Sequence, residues 1–224
     1  MRHATPLLVL AVAVALVGCE APGFFASAVP RKIPRQHELE RVPTLVLVDD
    51  PNTLLGDPAL KSVVAANVIA AMKTSKKSPE LIDPSRLTTY EALQGERFGR
   101  LPIDRVGQAL GAQQVVYVLI ETAGMSRAPG LLQPSGTARV KVIDAATGKR
   151  LFPEAVSDGA EQVRGFPVPV KMQAEAADDP QFGNPHVLSR MFAERLGQEV
   201  GYVFTDRRAP SPGLKIEEGR QRGR

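Results

Sequence analysis

The sequence predicts an α/β fold, a mixed β-sheet flanked by helices, and three observations predict it. Two continuous aliphatic runs, Thr44-Leu45-Val46-Leu47-Val48 and Val115-Val116-Tyr117-Val118-Leu119-Ile120, suit strands buried on both faces. Between them lie three helix-start signals, Asp57-Pro58, Asp83-Pro84 and Leu101-Pro102. After the second run the hydrophobic period falls to two, as in Arg139-Val140-Lys141-Val142. The resulting order is strand, helix, strand, helix, helix, strand, a hairpin region and a closing helix.

Residues 1–18 precede the fold. Arg2 and His3 supply a basic start, about ten apolar residues follow from Leu7, and small Gly18 stands before Cys19, the pattern of a secretory signal. A spanning helix needs roughly 18 to 20 apolar residues, and this run is bounded by Pro6 on one side and by Gly18 and Glu20 on the other. A plainly cleaved signal would leave Cys19, the only cysteine, as an unpaired thiol in an exported protein. The segment Leu16-Val17-Gly18-Cys19 resembles the lipobox of bacterial lipoprotein signals. That resemblance implies diacylation of the Cys19 sulfur, cleavage before it and an anchor in a membrane. Glu20 after the cysteine, rather than Asp, implies by the enterobacterial sorting rule the periplasmic face of the outer membrane.

Residues 19–43 read as a tether: between Glu20 and Pro43 there are four prolines, the pair Phe24-Phe25 and little periodicity. Fully extended, it spans on the order of 80 Å. The folded domain is expected over residues 44–206. Its first strand ends at Asp49-Asp50-Pro51, and Asp57 then caps a helix with Leu60, Val63, Val64, Val68 and Met72 on one face. A short strand at Glu80 to Ile82 precedes a helical stretch bearing Leu87, Tyr90 and Leu93. Ile103, Val106 and Leu110 mark a third helix with Gly111 as its stop. The strongest strand, 115–120, follows.

Asp144 to Lys149 then forms the turn of a hairpin into Leu151-Phe152. Phe166, Val168, Val170 and Met172 alternate with Pro167 and Pro169, which confines this segment to a sheet edge or an extended loop. Asn184-Pro185 starts a closing helix with Val187, Leu188, Met191, Phe192, Leu196, Val200, Val203 and Phe204 in an apolar stripe. Residues 207–224, rich in Arg, Pro and Gly, cannot build a core and read as a basic, disordered tail. The tail explains the charge: the whole chain carries +4, yet residues 20–206 hold 21 basic and 22 acidic side chains.

Sequence motifs for chemistry are sparse. His37 and His186 are the only histidines after the signal, which leaves no metal-ligand cluster. The pairs Asp49-Asp50 and Asp178-Asp179 lack the spaced ligands of a calcium loop and suit caps and turns. Gly124-Met125-Ser126-Arg127-Ala128 falls one residue short of a nucleophile elbow and is followed by Pro129-Gly130 rather than a helix, so a loop is expected there. Gly107…Gly111 has small-xxx-small spacing, and no phosphate-binding glycine motif occurs. No catalytic residue and no cofactor is expected. With no tryptophan and three tyrosines there is no stacking platform for single-stranded nucleic acid.

The stretch Val106-Gly107-Gln108-Ala109-Leu110-Gly111-Ala112-Gln113-Gln114-Val115-Val116-Tyr117-Val118, with the Leu45 to Asp50 strand, Leu81-Ile82-Asp83-Pro84 and the Val140 to Phe152 hairpin, resembles a group of small bacterial envelope lipoproteins. Their domain is similar to the amino-terminal domain of TolB, to LpoB, which activates penicillin-binding proteins, and to the periplasmic domain of the curli-secretion lipoprotein CsgG. The resemblance covers residues 43–205 in element order and implies a non-catalytic, lipid-anchored module that binds an envelope protein or cell-wall partner; it carries no functional residue. Two other readings stay open. A secretion-pore subunit resembling the curli channel needs paired strands of roughly ten alternating residues, and Pro167 and Pro169 interrupt the best candidate. An envelope hydrolase would use Ser126 or a carboxylate such as Asp50. The oligomeric state is left undetermined.

Overall fold

The computed structural model describes residues 32–128, 131–154, 164–172, 174–175 and 184–208. Leu16, Val17, Gly18 and Cys19, the Phe24-Phe25 pair, Asp178-Asp179 and the tail from 209 onward lie outside the described residues. The described part divides into two units. One contains strand β1 (Lys32–Ile33) paired antiparallel with β9 (Arg207–Arg208), so the segment expected to be unstructured from 207 begins with a strand.

The other unit, residues 35–206, is the expected α/β domain with a mixed sheet. Its elements are β2 (Pro43–Asp49), α1 (Leu60–Lys73), β3 (Glu80–Leu81), α2 (Pro84–Gln94), a 3₁₀ segment (Gly95–Arg100) and α3 (Ile103–Ala109). They are followed by β4 (Gln114–Ala128), β5 (Leu131–Asp144), β6 (Arg150–Phe152), β7 (Phe166–Lys171), β8 (Ala174–Glu175) and α4 (Pro185–Gly201). The sheet order is β3-β2-β4-β5-β6, with β7 and β8 also paired to β5. β3, β2 and β4 run parallel; every pairing of β5 is antiparallel.

The aliphatic run of β2 lies between β3 and β4, with Leu45 to Val48 all buried. One sheet face carries α1 and α4 over Val116, Val118, Val140 and Val168; the other carries α3 over Leu45, Leu47 and Val115. The helices α1 and α4 meet at small residues. A side chain on Gly197 would stand 2.5 Å from the Val64 carbonyl oxygen, and one on Gly201 would stand 2.4 Å from the Ala71 methyl.

Start signals behave as read, with small shifts. The Asp83 carboxylate accepts from Ser85 N–H, and the Asn184 side-chain oxygen accepts from His186 N–H. Asp57 accepts from Ala59 N–H, but Asp57 to Ala59 form a turn and the helix begins at Leu60. Gly111 at φ +77° ends the turn after α3, a conformation that costs any residue with a Cβ.

Three differences are larger. The chain from Arg35 to Val42, expected in the tether, is part of the domain: Gln36 and His37 N–H both donate to the Val203 carbonyl, and Leu39 is 6% exposed. Helix α2 buries no residue fully: Leu87 and Tyr90 pack partly buried against the α3 side of the core, whereas Leu93, the third of its apolar set, is 79% exposed. The third concerns the segment around Ser126. It is no loop: β4 runs through to Ala128 and pairs with nearly the whole of β5, with a bulge between Ile120 and Thr122.

Candidate functional site

The chain leaves β2 for α1 and β3 on one side, then returns by α2 and α3 to β4 on the other. Such a reversal opens a crevice at the carboxyl ends of parallel strands, and a cleft of about 410 Å³ lies there. Its floor is apolar, from Leu47, Phe98, Leu101, Ile103 and Val106, and its rim is polar, from Asp49, Asp50, Lys61, Glu91, Glu96 and Tyr117.

The parallel register sets Leu47 beside Tyr117 and Asp49 beside Leu119, so the Tyr117 ring leans toward the end of β2. The Tyr117 hydroxyl donates to Asp49 Oδ2 at 2.8 Å. Burial, then the hydrogen bond and negative charge of Asp49, push the tyrosine pKa above its ordinary value, so the phenol stays protonated. The neighbouring Asp50 faces its own loop, accepting from Leu54 N–H at 2.8 Å and Leu55 N–H at 3.0 Å. That loop includes Thr53 at φ +51°, a strained conformation for a β-branched residue. Lys61 of α1 closes one wall by an ion pair with Glu91 of α2 at 3.0 Å.

This arrangement is suited to holding a partner. Among the described residues the rim carries four carboxylates against one ammonium, and no serine, cysteine or histidine lines the cleft. A cationic side chain lying along the apolar floor matches such a rim. Asp50, the carboxylate of the hydrolase reading, is engaged by backbone donors. Ser126 is an exposed residue of a strand opposite Gln133, with β5 rather than a helix following, so the elbow geometry does not form. His37 stacks on Phe152 with ring centres 4.8 Å apart, and His186 is exposed at the start of α4. Among the described residues no group of three or more His, Cys, Asp or Glu side chains is placed to hold a metal.

A second recess, about 710 Å³ and shallow, lies over the outer half of the β4–β5 ladder, lined by Thr122, Gly124, Ser135, Thr137, Pro169 and Lys171. The sequence offered no signal for it beyond the small polar residues at every second position.

No family model matches the chain, and no curated protein matches it in sequence. Among solved structures it is similar to the lipoprotein GNA1162 from Neisseria meningitidis, at 13% identity and TM-score 0.42 over 70% of this chain and 96% of that one. It is also similar to the C-terminal domain of LpoB from Salmonella enterica, at 12% identity and TM-score 0.31 over 63% and 87%. A third is the PelC dodecamer from Paraburkholderia phytofirmans, at 7% identity and TM-score 0.38 over 77% and 96%. The LpoB domain named in the sequence resemblance is thus among the solved structures to which this chain is similar.

Proposed function

We propose that this chain is a lipid-anchored lipoprotein of the bacterial cell envelope that binds a protein or cell-wall partner during envelope assembly and catalyses no reaction. The observation that carries the reading is the segment Leu16-Val17-Gly18-Cys19 after a short apolar run. Acylation at Cys19 supplies the anchor, and because a single chain holds a protein only marginally, more than one is needed for stable attachment. Glu20 favours the periplasmic face of the outer membrane. The acidic-rimmed cleft at the end of β2 supports the binding half, since it suits a Lys or Arg side chain of a partner.

The test compares wild type with Cys19→Ser by membrane fractionation, intact-mass measurement and in-cell cross-linking. Wild type carries the mass of its acyl chains, sediments with the outer membrane and cross-links to a defined envelope component that Cys19→Ser loses. An unacylated Cys19 in a processed, freely soluble protein overturns the reading.

One observation favours the pore-subunit reading. The strands β4 and β5, of 15 and 14 residues, supply the long pair that Pro167 and Pro169 denied to the β7 region. The same prolines count against closure of a barrel, because they strip donors from the outer side of β7. Ring-shaped particles of the detergent-purified protein are the outcome that would restore it.

A further inference from the structure

The carboxylates around the cleft at the end of β2 are not equivalent acceptors, because most of them already hold a donor. Asp49 gives Oδ2 to the Tyr117 hydroxyl at 2.8 Å, which leaves Oδ1 open. Asp50 accepts from two successive backbone N–H groups, Leu54 at Oδ1 and Leu55 at Oδ2. Glu91 holds the Lys61 ammonium on Oε1 at 3.0 Å, so the one cation among the described lining residues is neutralised in place. Glu96 makes no hydrogen bond or ion pair among the described residues, but it is exposed. Arg97 and Arg100 belong to the same 3₁₀ segment and do not line the cleft.

This pattern of occupied oxygens discriminates between cations. A guanidinium is a planar fork that binds best side-on, one N–H to each oxygen of a single carboxylate. No carboxylate beside the apolar floor presents two open oxygens. The phenol covers one on Asp49, backbone donors take the fork's place on Asp50, and Lys61 occupies Glu91. An ammonium has no such requirement. Its three N–H groups can reach three different oxygens, and an oxygen that already accepts one hydrogen bond keeps a second lone pair. The Tyr117 oxygen is among them, since its proton is directed to Asp49 and its lone pairs remain to accept. Behind these oxygens lie Leu47, Ile103 and Val106, an aliphatic strip suited to an unbranched side-chain stem.

We infer, on the footing of the partner-binding function proposed above, that Tyr117 is the specificity-determining residue of this cleft: by masking one oxygen of Asp49 it sets the site for a lysine side chain of a partner protein and against arginine. A lysine held in a chain presents a single ammonium to the rim and keeps its backbone outside the mouth. No second charge then has to meet the apolar floor. The selectivity is negative as well as positive, because an arginine entering the cleft would lose its hydration without finding a fork-shaped acceptor.

The experiment uses the full chain purified from membranes in detergent, with leucine, isoleucine and valine methyl groups labelled for NMR. The probes are N-acetyl-lysine methylamide, its arginine analogue and its neutral norleucine analogue. Wild type is expected to bind the lysine probe in the millimolar range that suits one side chain, with shifts at Leu47, Ile103 and Val106. The arginine and norleucine probes bind about tenfold more weakly, the scale of one charged hydrogen bond. Asp49→Asn weakens the lysine probe by about tenfold with methyl shifts elsewhere unchanged. Tyr117→Phe opens the second oxygen of Asp49, and the ratio of arginine to lysine affinity rises by about tenfold; a tyrosine that only packed would weaken both probes alike. In cells, Asp49→Asn stays in the membrane and loses the protein that cross-links to wild type. The inference is overturned, with the envelope-binding function left standing, if wild type takes arginine or norleucine as well as lysine, if the ratio is unchanged in Tyr117→Phe, if Asp49→Asn keeps the cross-linked protein, or if wild type captures a cell-wall fragment and no protein. A wild type that captures nothing overturns the proposed function and this inference with it.

Discussion

His37 is a half-buried imidazole between Phe152 and Phe204 whose pKa is lowered from 6.5, first by burial and against the raising influence of Glu154 and Glu40. In the unfolded chain it takes up a proton near pH 6.5; in the folded chain it does so only at lower pH. Above about 6.5 both states are neutral and nothing is lost. As pH falls from there to the lowered folded value, the unfolded state binds more protons and stability drops. The exposed carboxylates Glu38, Asp83 and Asp144, all held below their ordinary values by hydrogen bonds, act in a separate and more acidic window, below about 4.5. Urea midpoints are therefore expected to fall between pH 7.5 and 5.5 in wild type and to stay flat over that interval in His37→Phe. Gln114 is another isolated polar group, 2% exposed, with its amide donating to the Thr44 hydroxyl and the Glu40 carbonyl, each at 2.8 Å. Gln114→Leu leaves both acceptors unmet, and a loss of roughly 1 to 3 kcal/mol in denaturant titration is expected.

At the scale of elements, α1 and α4 owe their close approach to Gly197 and Gly201. A helical glycine is ordinarily about 1 kcal/mol worse than alanine, but a methyl at Gly197 would collide with backbone, the Val64 carbonyl at 2.5 Å, which cannot swing aside. Gly197→Ala is expected to destabilise by about 1 to 3 kcal/mol, read as a melting temperature lower by several degrees; stabilisation would mean the helices slide apart freely. Neither glycine carries a readable signal, since each looks like a helix weakener until its neighbour is known. The same reasoning separates the legible strands from the illegible ones. The β2 run and the first half of β4 were legible because burial on both faces demands unbroken aliphatic sequence. The outer halves of β4 and β5 contain Gly124, Ser126, Pro134, Ser135 and Gly136, poor strand formers by composition, and only their ladder to each other makes them strands. The cleft was hidden for a related reason: Asp49 and Tyr117 lie 68 residues apart, and the parallel register alone brings them together.

At the scale of the whole molecule, the composition of the chain set the domain boundary too late. Residues 35 to 43 have no period because they pack one residue at a time. Leu39 enters the α1–α4 side of the core, His37 stacks on Phe152, the backbone of Gln36 and His37 closes on Val203, and the Glu40 carbonyl accepts from Gln114. Burying a leucine contributes about 2 kcal/mol, and each hydrogen bond adds about 1 kcal/mol. The segment is thus expected to supply roughly 3 to 5 kcal/mol of a total that for a domain lies at about 5 to 15 kcal/mol. A fragment of residues 35–206 is expected to unfold in one cooperative urea transition, and one of residues 44–206 to shift that midpoint down by a large fraction or to lose cooperativity. Leu39→Ala within 35–206 should reproduce part of that loss, about 2 to 4 kcal/mol if the cavity stays open. Equal midpoints for the two fragments would return residues 35–43 to the tether and lengthen the reach of the domain from its anchor by about 30 Å.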